Sequence, residues 1–186
     1  MKNLVRFYSR LKIILPTLLF LSLLSCGDDD SSTNPQPTPD PDDNTPAEIA
    51  LRISEVDTDN NTITLKNFGE ESVDASSFWI CILRAYQPIS DISASDLVLD
   101  SDETVVLTTN LDGGSSDIGL YQSSQFGVAS AMLDFMQYGQ DVGASGRVSV
   151  AVTKGIWSNG DFVGDQSPYV YTGDGTQNGA SFWEGN

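Results

Sequence analysis

The sequence predicts an all-β fold, an antiparallel β-sandwich, over residues 49–186. Many short runs of β-type residues follow one another there, and Gly, Asp and Ser separate them at intervals typical of sandwich turns. No stretch of this region repeats apolar residues over a long helical period. Residues 1–48 differ in composition, so they are expected to be a signal and a spacer that precede the folded domain.

Residues 1–25 have the pattern of a secretory signal peptide. The segment begins with basic residues and contains no acidic one, and residues 13–24 form an apolar run interrupted at only three positions. A basic start, a short apolar core and a small residue at the end are typical of an export signal. The apolar run is shorter than the roughly 20 residues that a membrane-spanning helix needs. We therefore expect this segment to be removed.

Residues 23–26, Leu-Leu-Ser-Cys, resemble the lipobox of bacterial lipoproteins, in which the cysteine is acylated and becomes the first mature residue. The resemblance implies that Cys26 carries acyl chains such as palmitate, and two or more chains hold a protein firmly in a membrane. Gly27, Asp28, Asp29 and Asp30 resemble the acidic signal that sends some lipoproteins to the outer face of the outer membrane. The expected location is therefore the outer membrane, facing the cell exterior. The alternatives are an ordinary signal peptide with an incidental cysteine, and a plain acidic linker.

Residues 26–48 are expected to be a disordered tether, because they consist largely of Asp, Ser, Thr, Asn and Pro, which extend the chain and bury little. The whole chain has 9 Lys plus Arg and 26 Asp plus Glu, and four of the cations but none of the acids lie in residues 1–25. Five cations against 26 acids leave the mature chain with a formal charge of −21. Such a charge repels nucleic acid and anionic surfaces. Cations, neutral sugars or a basic protein patch remain as possible partners.

The sequence contains no histidine, the side chain that most often acts as a general base at neutral pH. Once Cys26 is acylated, Cys81 has no intramolecular partner, which excludes a disulfide framework. Cys81 lies in an apolar run and is expected to be a small buried core residue. These observations favour a protein without enzymatic activity of its own.

The predicted strands begin at the start of the domain. Residues 50–56 and 62–66 flank residues 57–61, a loop rich in Asp and Asn that predicts a hairpin. Residues 78–86 are apolar on both faces, as in a strand buried in the middle of a sandwich. Further strands are predicted at residues 103–109, 117–121, 131–138 and 148–154, and Asn159-Gly160 predicts a tight turn.

Several of these segments together resemble a lamin tail domain. The opening strands are matched by residues 53–56 (Ile-Ser-Glu-Val), 63–69 (Ile-Thr-Leu-Lys-Asn-Phe-Gly) and 73–80 (Val-Asp-Ala-Ser-Ser-Phe-Trp-Ile), and later strands by residues 118–121 and 133–139. The chain departs from the family at residues 76–78, where the family usually has Ser-Gly-Trp, and residues 169–183 have no counterpart. The resemblance implies an immunoglobulin-like sandwich without activity of its own, a module that occurs on secreted and surface proteins.

Asp57 and Asp59 form a candidate metal site, because their spacing matches the first and third positions of an EF-hand calcium-binding loop. The sixth and twelfth positions of that loop hold Thr62 and Phe68 instead of Gly and Glu, so an EF-hand is excluded. Calcium bound in another geometry remains a hypothesis beside a solvated turn.

Glu55 is predicted to share a strand face with Leu51 and Ile53, and Asp134 to share one with Met132 and Met136. A buried carboxylate needs partners, so both are expected to accept structural hydrogen bonds from backbone amides or from a basic side chain (Lys66, Arg84 or Arg147). The alternative is a pair of carboxylates that performs acid and base chemistry, as in a glycosidase.

Aromatic residues cluster late in the chain: Trp157, Tyr169, Tyr171, Phe182 and Trp183. Core packing at one end of the sandwich is the expected role, and stacking on sugar rings is the alternative. Trp157, beside the Asn-Gly turn, is the aromatic side chain that we expect to be exposed, with Tyr169, Tyr171 and Trp183 as further candidates for ligand contact.

These patterns predict a surface-anchored lipoprotein whose non-catalytic domain recognises a polysaccharide or protein partner. The alternatives are a hydrolase, or an accessory subunit of one, that uses carboxylates such as Glu55 and Asp134, and a mechanical component of the envelope. No cofactor is expected, apart from the calcium hypothesis.

Overall fold

A computed structural model describes residues 49–93, 96–164 and 166–185 of the chain. The predicted signal peptide, Cys26, the acidic residues that follow it and the tether lie outside the described residues. In the part that is described, no helix is long and apolar enough to cross a membrane.

Short strands make up most of the described chain. In chain order the elements are β1 (Leu51–Asp57), β2 (Thr62–Asn67), β3 (Val73–Asp74), β4 (Trp79–Ile82), β5 (Ala85–Pro88), α1 (Ile89–Ile92), β6 (Val98–Leu99), β7 (Thr104–Thr108), β8 (Ser116–Tyr121), β9 (Met132–Tyr138), α2 (Val148–Lys154), β10 (Tyr169–Tyr171) and β11 (Trp183–Gly185). The paired strands run antiparallel to one another. The predicted all-β antiparallel fold is confirmed.

The strands form two larger sheets and one small one. A five-stranded sheet has the order β11-β10-β1-β2-β7, a four-stranded sheet has the order β5-β4-β8-β9, and β3 pairs with β6. In β2, Ile63 and Leu65 are fully buried and alternate with half-buried polar residues, as expected for a sheet with one face on the core. Every residue of β8, an inner strand of the four-stranded sheet, is buried. Apolar residues of both large sheets belong to one core.

The predicted buried strand at residues 78–86 is wrong as a single element, because the chain reverses within it. β4 and β5 form a hairpin in which Ile82 pairs with Ala85. The two turn residues, Leu83 and Arg84, both have positive φ, at 44° and 67°. Tight two-residue hairpins need positive φ at both positions, and sequences usually meet that need with Asn or Gly. Neither Leu83 nor Arg84 is a residue of that kind, so the sequence did not predict this turn.

The strand predicted at residues 148–154 is also wrong, since this segment is the helix α2. Its alternating valines follow a strand-like period of two, but Val148 and Ala151 are spaced like residues on one helix face and are both buried. The helix ends at Gly155, which has a left-handed φ of 82° and donates its N–H to the carbonyls of Ala151 and Val152. That glycine after Lys154 was the sequence signal for a helix end.

The tight turn predicted at Asn159-Gly160 is confirmed, although it does not join two strands of a hairpin. The N–H of Asp161 donates to Ser158 O at 3.3 Å, and Gly160 has a φ of 83°. The turn follows α2 and leads to Val163, which forms an isolated parallel bridge with Tyr138. The chain from residue 169 to residue 185 contributes β10 and β11 to the five-stranded sheet.

Asp117, on β8, is fully buried and holds two turns of the chain in place. Its carboxylate accepts the N–H of Leu83 at 3.3 Å, in the β4–β5 turn, and the N–H of Arg147, just before α2. A Cβ atom at position 146 would overlap this carboxylate, so the close approach requires Gly146. Burial raises the pKa of the Asp117 carboxyl, and the hydrogen bonds from the two amides oppose that rise.

We predict that Asp117 makes the free energy of unfolding fall as the pH rises above about 4, the ordinary pKa of an aspartate carboxyl, and through its raised native pKa. Between its ordinary and its raised pKa, the native carboxyl holds its proton when the unfolded one has lost it, so stability is lost as the pH rises through that window. Asp117→Asn removes this component. Urea unfolding across the pH series should therefore show that wild type loses stability relative to D117N as the pH rises.

The control for this prediction is Asp57→Asn. Hydrogen bonds from Asn60 hold the pKa of the Asp57 carboxyl below its usual value, so its contribution is present at neutral pH and is lost on acidification. The difference between wild type and D57N should therefore change in the opposite sense, and only below about pH 4, whereas above that pH it should stay constant. A difference between wild type and D117N that does not vary with pH would contradict the prediction.

Candidate functional site

The aromatic residues proposed for ligand contact are all buried. Trp157 is only 5% exposed, its ring meets Phe135 edge-on at 5.3 Å, and its indole N–H donates to Asp161 O at 2.9 Å. The Asn-Gly turn folds back over the tryptophan and supplies this acceptor. The expectation that Trp157 is an exposed platform is therefore wrong.

The other late aromatics also pack inside the domain. Tyr169 stacks on Tyr138 of the four-stranded sheet, with ring centroids 4.9 Å apart. Tyr171 and Trp183, both on the five-stranded sheet, meet at 5.6 Å. Core packing, the expected role, is confirmed for these residues. Their burial removes the faces that would stack on a sugar.

Glu55 does not share a strand face with Leu51 and Ile53, so that prediction is wrong. The pairing of β1 with β2 shifts between Ile53 and Glu55, where one extra residue forms a bulge. An extra residue reverses the alternation of side chains, and Glu55 pairs with the half-buried Thr64. The bulge thus moves a carboxylate from the core face to the outer face of the sheet.

Asp134 on β9 is 2% exposed and joins the two large sheets. Its Oδ2 accepts the N–H of Ile53 on β1 at 2.8 Å, and its Oδ1 accepts the N–H of Phe135 at 2.8 Å. Oδ1 also forms an ion pair with Arg52 Nη2 at 2.9 Å. A backbone amide was among the expected partners, but Arg52 was not.

The prediction that Asp134 and Met132 share a strand face is wrong. The pairing of β8 with β9 shifts beside Leu120, so that Asp134 lies opposite Leu120 and Met132 lies opposite Tyr121. Leu120 and Tyr121 are consecutive and point to opposite faces of the sheet.

Asp57 stabilises the β1–β2 hairpin loop. Its carboxylate accepts the N–H of Asp59 at 2.9 Å and the N–H of Asn60 at 3.0 Å, so the predicted turn is a loop capped by its own first residue. Asp59 is exposed. Over residues 49–93, 96–164 and 166–185, no group of three or more Asp, Glu or Cys residues is placed to hold a metal ion. The geometry of the loop therefore does not support the calcium hypothesis.

Cys81 lies on β4 and is fully buried, as predicted. Burial raises the pKa of its thiol to about 11. A thiol with such a pKa is almost entirely protonated at neutral pH, and the thiolate is the reactive form. Cys81 is therefore a core residue that does not react.

Arg52 is the centre of a polar cluster that the sequence did not reveal. Its Nη1 donates to Gly175 O at 2.7 Å, and its Nη2 donates to Asp134 Oδ1, to Gln177 O at 3.1 Å and to Asn178 Oδ1 at 2.8 Å. The guanidinium carbon also lies 5.4 Å from the centre of the Tyr171 ring. A single buried side chain thus fastens β1 to β9 and to the loop after β10.

The loop at residues 173–179 is ordered by its own polar groups. Asp174 Oδ1 accepts from the N–H and the hydroxyl of Thr176, at 2.9 and 2.7 Å, and Tyr171 donates its hydroxyl to Gln177 O at 2.7 Å. Gly175 has a φ of 96°, and a Cβ there would collide with Phe68. The loop therefore presents fixed polar atoms beside Arg52.

A groove of about 520 Å³ opens where this loop meets the start of β1, the chain before β9 and the end of α2. Its volume lies in the range of roughly 300–1,000 Å³ that small-ligand sites occupy. The residues that line it are Ile49, Ala50, Arg52, Gln122, Ser130, Leu133, Lys154, Ile156, Gly175, Thr176 and Asn178. None of these residues is acidic or aromatic.

The electrostatics of the groove differ from those of the chain as a whole. Two of the five cations in residues 26–186, Arg52 and Lys154, lie in its wall, although acids outnumber cations about fivefold in that range. Arg52 is neutralised by Asp134 behind it. Lys154 is half-buried and forms no ion pair with any residue that the structure describes. The groove can therefore hold one negative charge next to an apolar surface.

The sequence did not predict the polar residues that line the groove: Arg52, Lys154, Gln122, Ser130, Thr176 and Asn178. One sequence signal for the polar cluster was available. Cations are scarce in this chain, and an Arg inside an apolar strand such as β1 needs a buried acceptor. Comparison with protein-family models, with curated proteins and with solved structures found no match for this chain.

Proposed function

We propose that this protein is a lipoprotein, anchored in the outer membrane through acyl chains on Cys26 and facing the cell exterior, whose β-sandwich domain binds a polymer or protein partner through the groove. The signal peptide pattern, the lipobox-like residues and the acidic residues after Cys26 support the anchoring and the location. The tether at residues 26–48 then separates the binding domain from the membrane surface.

The observation that supports a binding role most is the composition of the groove. It combines aliphatic side chains, neutral polar groups and one lysine free of ion pairs within the described chain, on a frame fixed by Arg52. Concave sites with an apolar lining and a few fixed polar groups are typical of ligand-binding sites. Because Arg52 holds three separate segments together, the groove is formed before any ligand arrives.

The domain belongs, in this proposal, with lamin-tail-like modules of the immunoglobulin type. The order of the matching sequence groups supports this relation, and the first two groups fall on β1 and β2. Such modules lack activity of their own, which agrees with the absence of histidine.

The competing proposal is a hydrolase that uses Glu55 and Asp134. It has less support, because the carboxylate of Asp134 already accepts hydrogen bonds from Arg52, Ile53 and Phe135. Neither of the two carboxylates lines the groove.

An array experiment tests the binding role. The full-length acylated protein, held in lipid nanodiscs, is applied to arrays of surface polysaccharides and of peptides, and the bound spots are then analysed for cleavage. We expect saturable binding to a restricted set of spots without cleavage. No saturable binding on either array would contradict the binding proposal, and cleavage of the bound ligand would favour the hydrolase.

A further inference from the structure

The groove has the chemistry of a site for one particular class of ligand. We infer that it binds an aliphatic carboxylate, with the carboxylate group paired to Lys154 and the aliphatic body lying on Ile49, Leu133 and Ile156. This inference rests on the proposed binding function and specifies the ligand class of the same site.

Lys154 is the available cation, because the other four basic side chains of the mature chain have interactions of their own. Arg52 pairs with Asp134, and Lys66 pairs with Asp102 at 2.9 Å. The two others are Arg84, which donates to the carbonyls of Ala144 and Gly146, and Arg147, whose guanidinium lies 5.1 Å from the Tyr86 ring centre. For Lys154, the described part of the chain provides neither an ion pair nor a hydrogen bond to its ammonium group.

The position of Lys154 fits it for this role. It is the last residue of α2, and Gly155 in the left-handed conformation then turns the chain so that Ile156 also reaches the groove. The lysine is half-buried, and a hydrogen bond between its ammonium and a carboxylate is charge-assisted, which makes it stronger than a bond between neutral groups.

The available donors indicate a single carboxylate in preference to a phosphate. Arg52 presents the bidentate geometry that phosphates favour, but its guanidinium is already bound to Asp134, Gly175, Gln177 and Asn178. One lysine remains, which matches one negative charge. The acidic chain also repels a ligand in proportion to its negative charge, so a single charge is repelled less than a phosphate with two.

The lining indicates an aliphatic body in preference to a sugar. The aromatic rings that could stack on a sugar are buried elsewhere, and the groove has aliphatic side chains in their place. Burial of an aliphatic group against Ile49, Leu133 and Ile156 is favourable in proportion to the apolar area removed from water. Gln122 and Ser130 are exposed residues of the lining. Gln122 Nε2 donates to Ser130 O at 2.8 Å, and the Gln122 Oε1 and the Ser130 hydroxyl can hydrogen-bond to amide or hydroxyl groups of the ligand.

Two sources can supply this chemistry: the C-terminus of a peptide that ends in aliphatic residues, and a free fatty acid. The experiment uses N-acetyl-Leu-Leu for the first source and octanoate for the second. The amides of the two compounds serve as uncharged controls. Calorimetric titration of the full-length protein in nanodiscs, corrected with empty nanodiscs, gives the affinity of each probe, and the tighter of the two carboxylates identifies the source.

Lys154→Gln is the test variant and Lys66→Gln is the matched control, since both remove one lysine charge and Lys66 lies outside the groove. We expect K154Q to weaken carboxylate binding by about tenfold or more and to leave the already weak binding of the amides unchanged. K66Q should bind like wild type.

Equal affinity of wild type for carboxylates and amides, equal weakening by K154Q and K66Q, or no binding of either carboxylate would overturn the inference. The proposed function would still stand in each case if the arrays showed specific binding by wild type. An absence of saturable binding on the arrays would instead contradict the proposed polymer or protein partner, whatever the titrations show.

Discussion

Asp134→Ala is expected to lower the free energy of unfolding by about 3–5 kcal/mol, the usual effect of removing one partner of a buried ion pair. The substitution leaves the guanidinium of Arg52 buried without its counter-charge. It also leaves the N–H of Ile53, on the neighbouring sheet, without its acceptor. Urea unfolding of the full-length protein in detergent measures the effect.

The Lys66–Asp102 pair provides the matched control for this prediction. Its N–O distance of 2.9 Å equals that of the Arg52–Asp134 pair, but the Asp102 side chain is 80% exposed and the Asp134 side chain is 3% exposed. Exposed ion pairs contribute at most about 1 kcal/mol, so Asp102→Asn should change stability little. Asn is used because Asp102 has a φ of 64°, which Asn tolerates and Ala does not. Similar losses in D134A and D102N would show that the Arg52–Asp134 pair does not hold the sheets together.

Cys26→Ala is expected to abolish attachment to the outer membrane. A protein that depends on acyl chains for its anchoring loses it completely when the acylated residue is removed. The measurements are incorporation of labelled palmitate, the mass of the mature chain and its distribution between membrane and soluble fractions. The variant should carry no label and should be absent from the outer-membrane fraction.

Cys81→Ala is the control for the anchoring experiment, because Cys81 is a buried core residue whose raised pKa makes it unreactive. It should be labelled and located like wild type. An unlabelled wild-type chain, or a C26A chain that still fractionates with the outer membrane, would contradict lipid anchoring at Cys26.

The sequence predicted those strands whose ends are marked by local chemistry. The β1–β2 hairpin follows from the Asp and Asn residues of its loop, and the strand β7 follows from its alternation of buried and exposed residues. Elements that depend on distant contacts were missed. The Leu83-Arg84 turn is held partly by Asp117, 34 residues away from Leu83, and no local pattern reports that contact.

Side-chain alternation also failed where a bulge interrupts it. Glu55 has the spacing of a core-facing residue, yet one extra residue in β1 places it on the other face. Residues 148–154 fit both the two-residue period of a strand and the 3.6-residue period of a helix. Burial of Val148 and Ala151 against the domain favours the helix. In both cases tertiary packing determined the outcome, and the sequence pattern alone was ambiguous.

The groove could not be predicted because its residues are far apart in the chain. Arg52 meets Asp134 across 82 residues and the loop at residues 175–178 across more than 120. The predicted site residues were aromatic and acidic, as in many binding proteins, whereas the groove is aliphatic and contains basic residues. The aromatic side chains were needed to fill the core between the sheets.

Array binding by Ser130→Trp tests most directly whether the domain binds through the groove. Ser130 is exposed on the groove rim, so an indole there should obstruct the site without disturbing the core. Ser90→Trp, at an exposed position of α1 outside the groove, is the control. We predict that S90W gives the wild-type pattern of bound spots and that S130W loses it. An S130W variant that folds and keeps the wild-type pattern would contradict the account.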